Sequence, residues 1–199
     1  MKKAILYIHG KDGSGAEAEH YRRLCPGYDV IGLDYQGNTP WETKKEFIDR
    51  YEKLSEDYPS ITIIANSIGA FFAMNALNGM QIERALFISP IVDMEKLISD
   101  MMRRANVTEE ELREKQEIET GSGEPLSWRY LCYVRENPIV WKTPTYILYG
   151  ENDNMTSYET ISQFAGKTNA SMTVMENGEH WFHTAEQMAF LDDWITKLL

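Results

Sequence analysis

The chain has 199 residues, 43% of them hydrophobic and 26% charged, with a formal net charge of −11. That length and mix suit one domain with a real core, with or without an insert. A surface of that sign repels phosphate backbones and anionic headgroups, so neither nucleic-acid binding nor membrane docking is expected.

The chain opens with MKKAILYIHG. Its apolar run, AILYI, is too short for a signal peptide and leads into His9 and Gly10 instead of a small-residue cleavage site. It reads as a first strand, Lys3–His9. No later run approaches the length of a membrane-spanning helix. Cys25 and Cys132 lack metal-type spacing and suit a reducing compartment, so a soluble, cytoplasmic protein is expected.

A second strand, Asp29–Asp34, is followed by a helix with Thr39 as N-cap and Pro40 at its first position. Its apolar stripe is Trp41, Phe47, Ile48, Tyr51 and Leu54. Strands at Ile61–Asn66 and Ala85–Ser89 follow. ITIIA and ALFIS are continuously apolar, which implies burial on both faces, as in a parallel sheet.

No strand is read between Ser89 and Thr145. Met94 to Ala105 forms one helix, Thr108 with Glu111 caps a second, and a third runs from Ser127 to Glu136 after the turn-rich TGSGEP. A crossover needs one helix, so the surplus is read as an insert. It is set at 91–142, a helical cap or lid within a single domain of 1–199. Ligands bind at the carboxyl ends of parallel strands, where such an insert lies. EEELREKQEIE is read as a solvated helix face. Strands at Thr145–Tyr149 and Met172–Met175 complete the set. The last helix opens at Thr184 with Gln187 three residues on, and its stripe is Met188, Leu191, Trp194, Ile195 and Leu198. Strand–helix alternation predicts an α/β fold, a three-layer α/β/α sandwich on a mostly parallel sheet of six strands.

ANSIGA, residues 65–70, joins the strand SITIIAN to a helix-like run. A serine at a tight strand-to-helix turn projects from the end of the sheet. The positions two before and two after it come close together, and Ala65 and Gly69 are small enough. A serine hydroxyl needs a base, a group that orients the base, and donors for the oxyanion. The helix start behind Ser67 supplies the Ile68 N–H. The glycine-rich loop HGKDGSG after the first strand supplies the Lys11 N–H, with His9 shaping that loop. GENDNMTS places Asp153 just past a strand as the orienting acid. NGEHWFHT places His180 in the loop before the last helix as the base.

HGKDGSG, ANSIGA, GENDNMTS and NGEHWF, each after its own strand and in the order Ser…Asp…His, resemble the α/β-hydrolase family over nearly the whole chain. The resemblance implies a sheet order of 2-1-3-4-5-6 in a short version that starts at the family's third strand. The insert before the acid strand is where the family commonly carries its cap. Ala65 departs from the first glycine of G-x-S-x-G, and Lys11 and Asp12 replace the HGGG form of the oxyanion loop.

Alternatives stand beside several of these residues. His183 competes with His180 but lies near the start of the last helix. Asp93 and Glu151 compete with Asp153, which is preferred because an acid near the His-bearing strand best reaches the imidazole. His20 is read as a surface helix residue. Met101, Met102, Trp128, Tyr130 and Met155 are candidates for an acyl pocket, although such residues at helical spacing also make plain core.

The expected activity is hydrolysis of a carboxylic ester or thioester of a small to medium substrate through an acyl-enzyme, with no metal and no cofactor. A peptidase or amidase with the same triad and a non-catalytic binding protein on the same fold are the rival readings.

Overall fold

A computed structural model of the chain describes residues 2–121 and 125–199. The chain divides into two compact units, Met1–Val92 with Val140–Leu199, and Asp93–Ile139. In chain order the first unit begins with β1 (Lys3–Ile8), α1 (Ala18–Leu24), β2 (Asp29–Leu33), α2 (Pro40–Asp57), β3 (Ser60–Asn66), α3 (Ile68–Ala76) and β4 (Arg84–Ile88). The second unit holds α4 (Met94–Ala105), α5 (Glu109–Lys115), β5 (Glu117–Ile118), β6 (Leu126–Ser127) and α6 (Trp128–Glu136). The first unit then resumes with β7 (Thr145–Gly150), α7 (Tyr158–Thr168), β8 (Ser171–Met175) and α8 (Ala185–Leu198).

In the first unit six strands form one sheet in the order β2-β1-β3-β4-β7-β8. All five pairings are parallel. Counting only these six strands, this is the expected order 2-1-3-4-5-6. The predicted strand ends differ from the observed ones by at most one residue, because ladder pairing starts or stops one residue away from the change between apolar and polar side chains. Residues Ile61, Ile63, Ile64 and Ala65 of β3 are all buried. Successive side chains point to opposite faces, so this burial requires cover on both.

Tyr7, Ile64, Leu86 and Leu148 gather with Tyr21 of α1 and Leu191, Trp194 and Ile195 of α8 into the core of one face. On the other face α2 packs against α3. There Phe47 and Phe72 meet edge-on at 6.5 Å, and each also touches the ring of Tyr35. Of the predicted α2 stripe, Phe47, Tyr51 and Leu54 are buried, while Trp41 and Ile48 are only partly so. α2 starts at Pro40 as predicted, but the Thr39 side chain makes no cap bond. At α8 the Thr184 hydroxyl accepts the Gln187 N–H as its spacing implies.

The second unit corrects one expectation. A strand was not predicted between Ser89 and Thr145, yet β5 and β6 pair antiparallel. Two-residue strands are too short to show a period of two, which is the signal a strand leaves in sequence. The Thr108 cap behaves as read, accepting the Glu111 N–H, and Ser127, read as the first residue of its helix, is instead the N-cap of α6 and accepts the Tyr130 N–H. Arg135 of α6 binds Glu95 of α4 and, with both of its terminal nitrogens, Glu109 of α5. Of the turn TGSGEP, residues 122–124 lie outside the described residues. Among the described residues no helix is long and apolar enough to cross a membrane, and both cysteines are free.

Candidate active site

Ser67 lies between β3 and α3, at the N-cap position of α3, with φ 48° and ψ −119°, a region that non-glycine residues rarely occupy. A serine at a helix start commonly caps it. Here the Ser67 side chain makes no cap bond. Its Oγ lies 2.8 Å from His180 Nε2 instead.

The turn is tight because α3 packs onto the end of β1. A Cβ added to Gly69 would stand 2.3 Å from the His9 carbonyl oxygen. Alanine normally improves a helix interior by about 1 kcal/mol over glycine. At this position the backbone contact outweighs that gain, and Gly69→Ala is expected to cost about 2 kcal/mol as α3 is pushed off β1. A lowered urea midpoint with an unchanged slope is the measurement that checks it.

His180 sits in the loop after β8, with its side chain 16% exposed, and its Nδ1 is 2.7 Å from Asp153 Oδ2. The Asp153 side chain is fully buried. Its other oxygen accepts the N–H groups of Met155 and Thr156 at 2.8 and 3.0 Å. The acid turn and the histidine loop are stitched together by their backbones: Glu151 N–H donates to the Met175 carbonyl, and Asn152 N–H to the Gly178 carbonyl at 2.7 Å. The two segments run so close that a Cβ on Gly150 would meet the Glu179 carbonyl at 2.5 Å.

The competing residues have other partners. His183 stacks on Trp181 with centroids 5.0 Å apart, and its Nδ1 faces the Trp181 carbonyl. Glu151 accepts the Asn177 N–H. Asp93 caps α4 by accepting the Lys96 N–H.

The loop after β1 turns over the carboxyl end of the sheet beside the serine. Gly10 is close enough that an added Cβ would be 3.4 Å from Ser67 Cβ, and Lys11 follows it. His9 is buried, stacks on Tyr35 at 4.1 Å, and accepts the Tyr35 hydroxyl on its carbonyl. Ile68 is the first residue of α3.

Ser67 and His180 line a cavity of about 770 Å³. Its apolar wall is Ile88, Met155, Phe182, Met188 and Leu191, with Trp181 at 74% exposure beside His180. Of the five residues predicted for an acyl pocket, Met155 lines this cavity. Met101, Met102, Trp128 and Tyr130 belong to the second unit, where Met102 is buried and borders a smaller hollow with Ser99 and Val107. His20 is more than the surface helix residue expected. It lines the main cavity and pairs with Asp192 of α8 at 2.7 Å. Tyr7, Glu17 and Tyr21 also line it and were not singled out from sequence. Among the described residues no cluster of three or more His, Cys, Asp or Glu side chains is placed to hold a metal ion.

The pattern of an uncharacterised protein family, UPF0227, matches residues 4–190. The chain belongs to UPF0227.

No curated protein matches this UPF0227 chain. Solved structures do, across almost its full length. It is similar to mouse alpha/beta hydrolase domain-containing protein 10, at 18% identity with a TM-score of 0.74, covering 98% of this chain and 88% of the other. Est1E of Butyrivibrio proteoclasticus superposes with a TM-score of 0.74 at 14% identity, over 99% of this chain and 86% of the other. An esterase of Pyrococcus furiosus gives 0.61 at 21% identity, over 99% and 80%. The UPF0227 chain therefore has the α/β-hydrolase fold, as the four loop motifs implied.

Proposed function

We propose that this chain is a serine hydrolase that cleaves a carboxylic ester or thioester of a small to medium substrate through an acyl-enzyme. One observation carries the reading. The elbow serine leaves its own helix uncapped and turns its hydroxyl to His180, with buried Asp153 in line behind. A packing or capping role needs neither that rotamer nor the strained backbone beneath it. The hydrolase and esterase names of the structural neighbours agree with it.

In this reaction His180 Nε2 takes the Ser67 proton as Oγ attacks the substrate carbonyl. Asp153 holds the proton on Nδ1, so that Nε2 is free to act as base, and offsets the charge of the imidazolium. The N–H groups of Lys11 and Ile68 receive the oxyanion of the tetrahedral intermediate. His180 then protonates the leaving alkoxide or thiolate. Water, with His180 again as base, releases the acid. The apolar wall of Met155, Phe182, Met188 and Leu191 takes up the substrate's hydrocarbon part.

The test is the intact mass of the protein after incubation with a fluorophosphonate. One adduct on the wild type and none on Ser67→Ala is the expected result. A folded wild type that takes no adduct and hydrolyses no ester would sink the proposal in favour of a binding protein.

A further inference from the structure

Two oxyanion donors drawn from separate segments must be held to within a few tenths of an ångström of the same point. On the reading proposed above, one donor is the Ile68 N–H on the rigid start of α3. The other, the Lys11 N–H, is in the loop after β1, a separate segment of the chain. On the β2 side this loop is anchored by the Gly15 N–H donating to Asp34 at 2.6 Å and the Tyr35 hydroxyl donating to the His9 carbonyl. Those bonds do not tie the loop to the serine.

A second set of bonds does. The Ser14 N–H donates to Glu17 Oε1 at 3.0 Å, closing the end of the loop. The Tyr7 hydroxyl donates to the other Glu17 oxygen. The same phenolic oxygen accepts the side-chain N–H of Asn66 at 2.8 Å, and Asn66 is the residue before Ser67. Burial, then Tyr21 and the hydrogen bond to Glu17, push the Tyr7 phenol far above its ordinary range, so it keeps its proton. The row therefore has one direction: the amide donates to the phenol and the phenol to the carboxylate. Tyr21, tilted against the Tyr7 ring at 4.9 Å, packs beside it. Neither Tyr7 nor Glu17 has a part in the chemistry described above.

We infer that Tyr7 and Glu17 are positioning residues of the oxyanion hole: through the row Ser14–Glu17–Tyr7–Asn66 they set the spacing between the loop that carries the Lys11 N–H and the Ser67–Ile68 turn. The row acts on the tetrahedral state, because the ground-state carbonyl makes weaker use of the two donors. Its loss lowers kcat and leaves substrate binding largely as it was.

The experiment uses Tyr7→Phe and Glu17→Gln, which keep side-chain shape while breaking the row at two places. A glutamine in place of Glu17 can turn its NH₂ to the phenolic oxygen, where it competes with Asn66. Hydrolysis of 4-nitrophenyl butyrate and inhibition by butaneboronic acid, whose serine adduct is tetrahedral, are measured alongside fluorophosphonate labelling. In each variant kcat is expected to fall about tenfold with KM within about twofold of wild type. The affinity for the boronic acid should fall by the same factor as kcat, which a merely structural loss does not predict. Circular dichroism and Tm on both proteins separate any unfolding, and Glu17→Gln, at the protein surface, stands in if Tyr7→Phe fails to fold. Unchanged kcat in folded variants of an active wild type overturns this inference and leaves the hydrolase reading standing. A raised KM at unchanged kcat also overturns it, since Glu17 would then touch substrate directly. A wild type inert to both the ester and the fluorophosphonate removes the hydrolase reading and this inference with it.

Discussion

Ser67→Ala is expected to lower ester turnover by on the order of 10⁴-fold or more, to background, with the fold intact. The alanine removes the one oxygen within 2.8 Å of His180 Nε2 and leaves the backbone at φ 48°. A companion variant separates chemistry from strain. Ser67→Gly is equally inactive, but glycine occupies that backbone region without a Cβ penalty. It should gain about 1 kcal/mol of stability over Ser67→Ala. Chemical denaturation of the two variants, together with their residual kcat, checks both statements. Full activity in Ser67→Ala would remove Ser67 from the mechanism.

Asp153→Asn is expected to reduce kcat by about 10⁴-fold with little change in KM. An asparagine can keep its carbonyl on the N–H groups of Met155 and Thr156, which now bond Asp153 Oδ1. Its NH₂ then faces His180 Nδ1. That nitrogen can only accept from it, so the imidazole proton moves to Nε2, pointing at Ser67. The base is held in place in the wrong tautomer and cannot take the serine proton. Glu151→Gln and Asp93→Asn serve as controls, each expected to stay within about threefold of wild type, because Glu151 is occupied by the Asn177 N–H and Asp93 by the first turn of α4. A loss in either control comparable to that of Asp153→Asn would reassign the acid.

The sheet was the most legible part of the chain. β3 and β4 are buried on both faces, and the near-continuous apolar runs ITIIA and ALFIS, in place of an alternating pattern, suit that environment. The placement of Ser67, Asp153 and His180 on loops after their strands could be read for a related reason. A strand end is marked by the change from apolar to polar residues, and their contact then follows from the strand order.

What could not be read depended on meetings between distant residues. Tyr7 has the same pattern as any core aromatic of β1, and nothing local says that its hydroxyl meets Glu17 and Asn66. His20 lies on α1 at an ordinary helix position, and its partner Asp192 is on the far end of the chain. Met155 follows Asp153 closely and lines the cavity of Ser67 and His180. Met101, Met102, Trp128 and Tyr130 are candidates on the same ground of residue type as Met155, and their spacing on α4 and α6 serves helix packing equally well.

The strand order also bears on how the chain folds. β1 with β2, β3 with β4, and β7 with β8 each pair residues within about 25 positions of one another. The two remaining joints are long, with Ala4 meeting Ile61 and Ala85 meeting Thr145. Closing loops of that length costs about 0.8 kcal/mol more than closing the local ones, and it places the joints late in assembly. Ser67 belongs to the β3–β4 module, whereas Asp153 and His180 both belong to β7–β8. Ser67 therefore meets Asp153 and His180 only when the β4–β7 joint closes, so on the proposed function the activity returning during refolding reports that joint and lags the recovery of secondary structure.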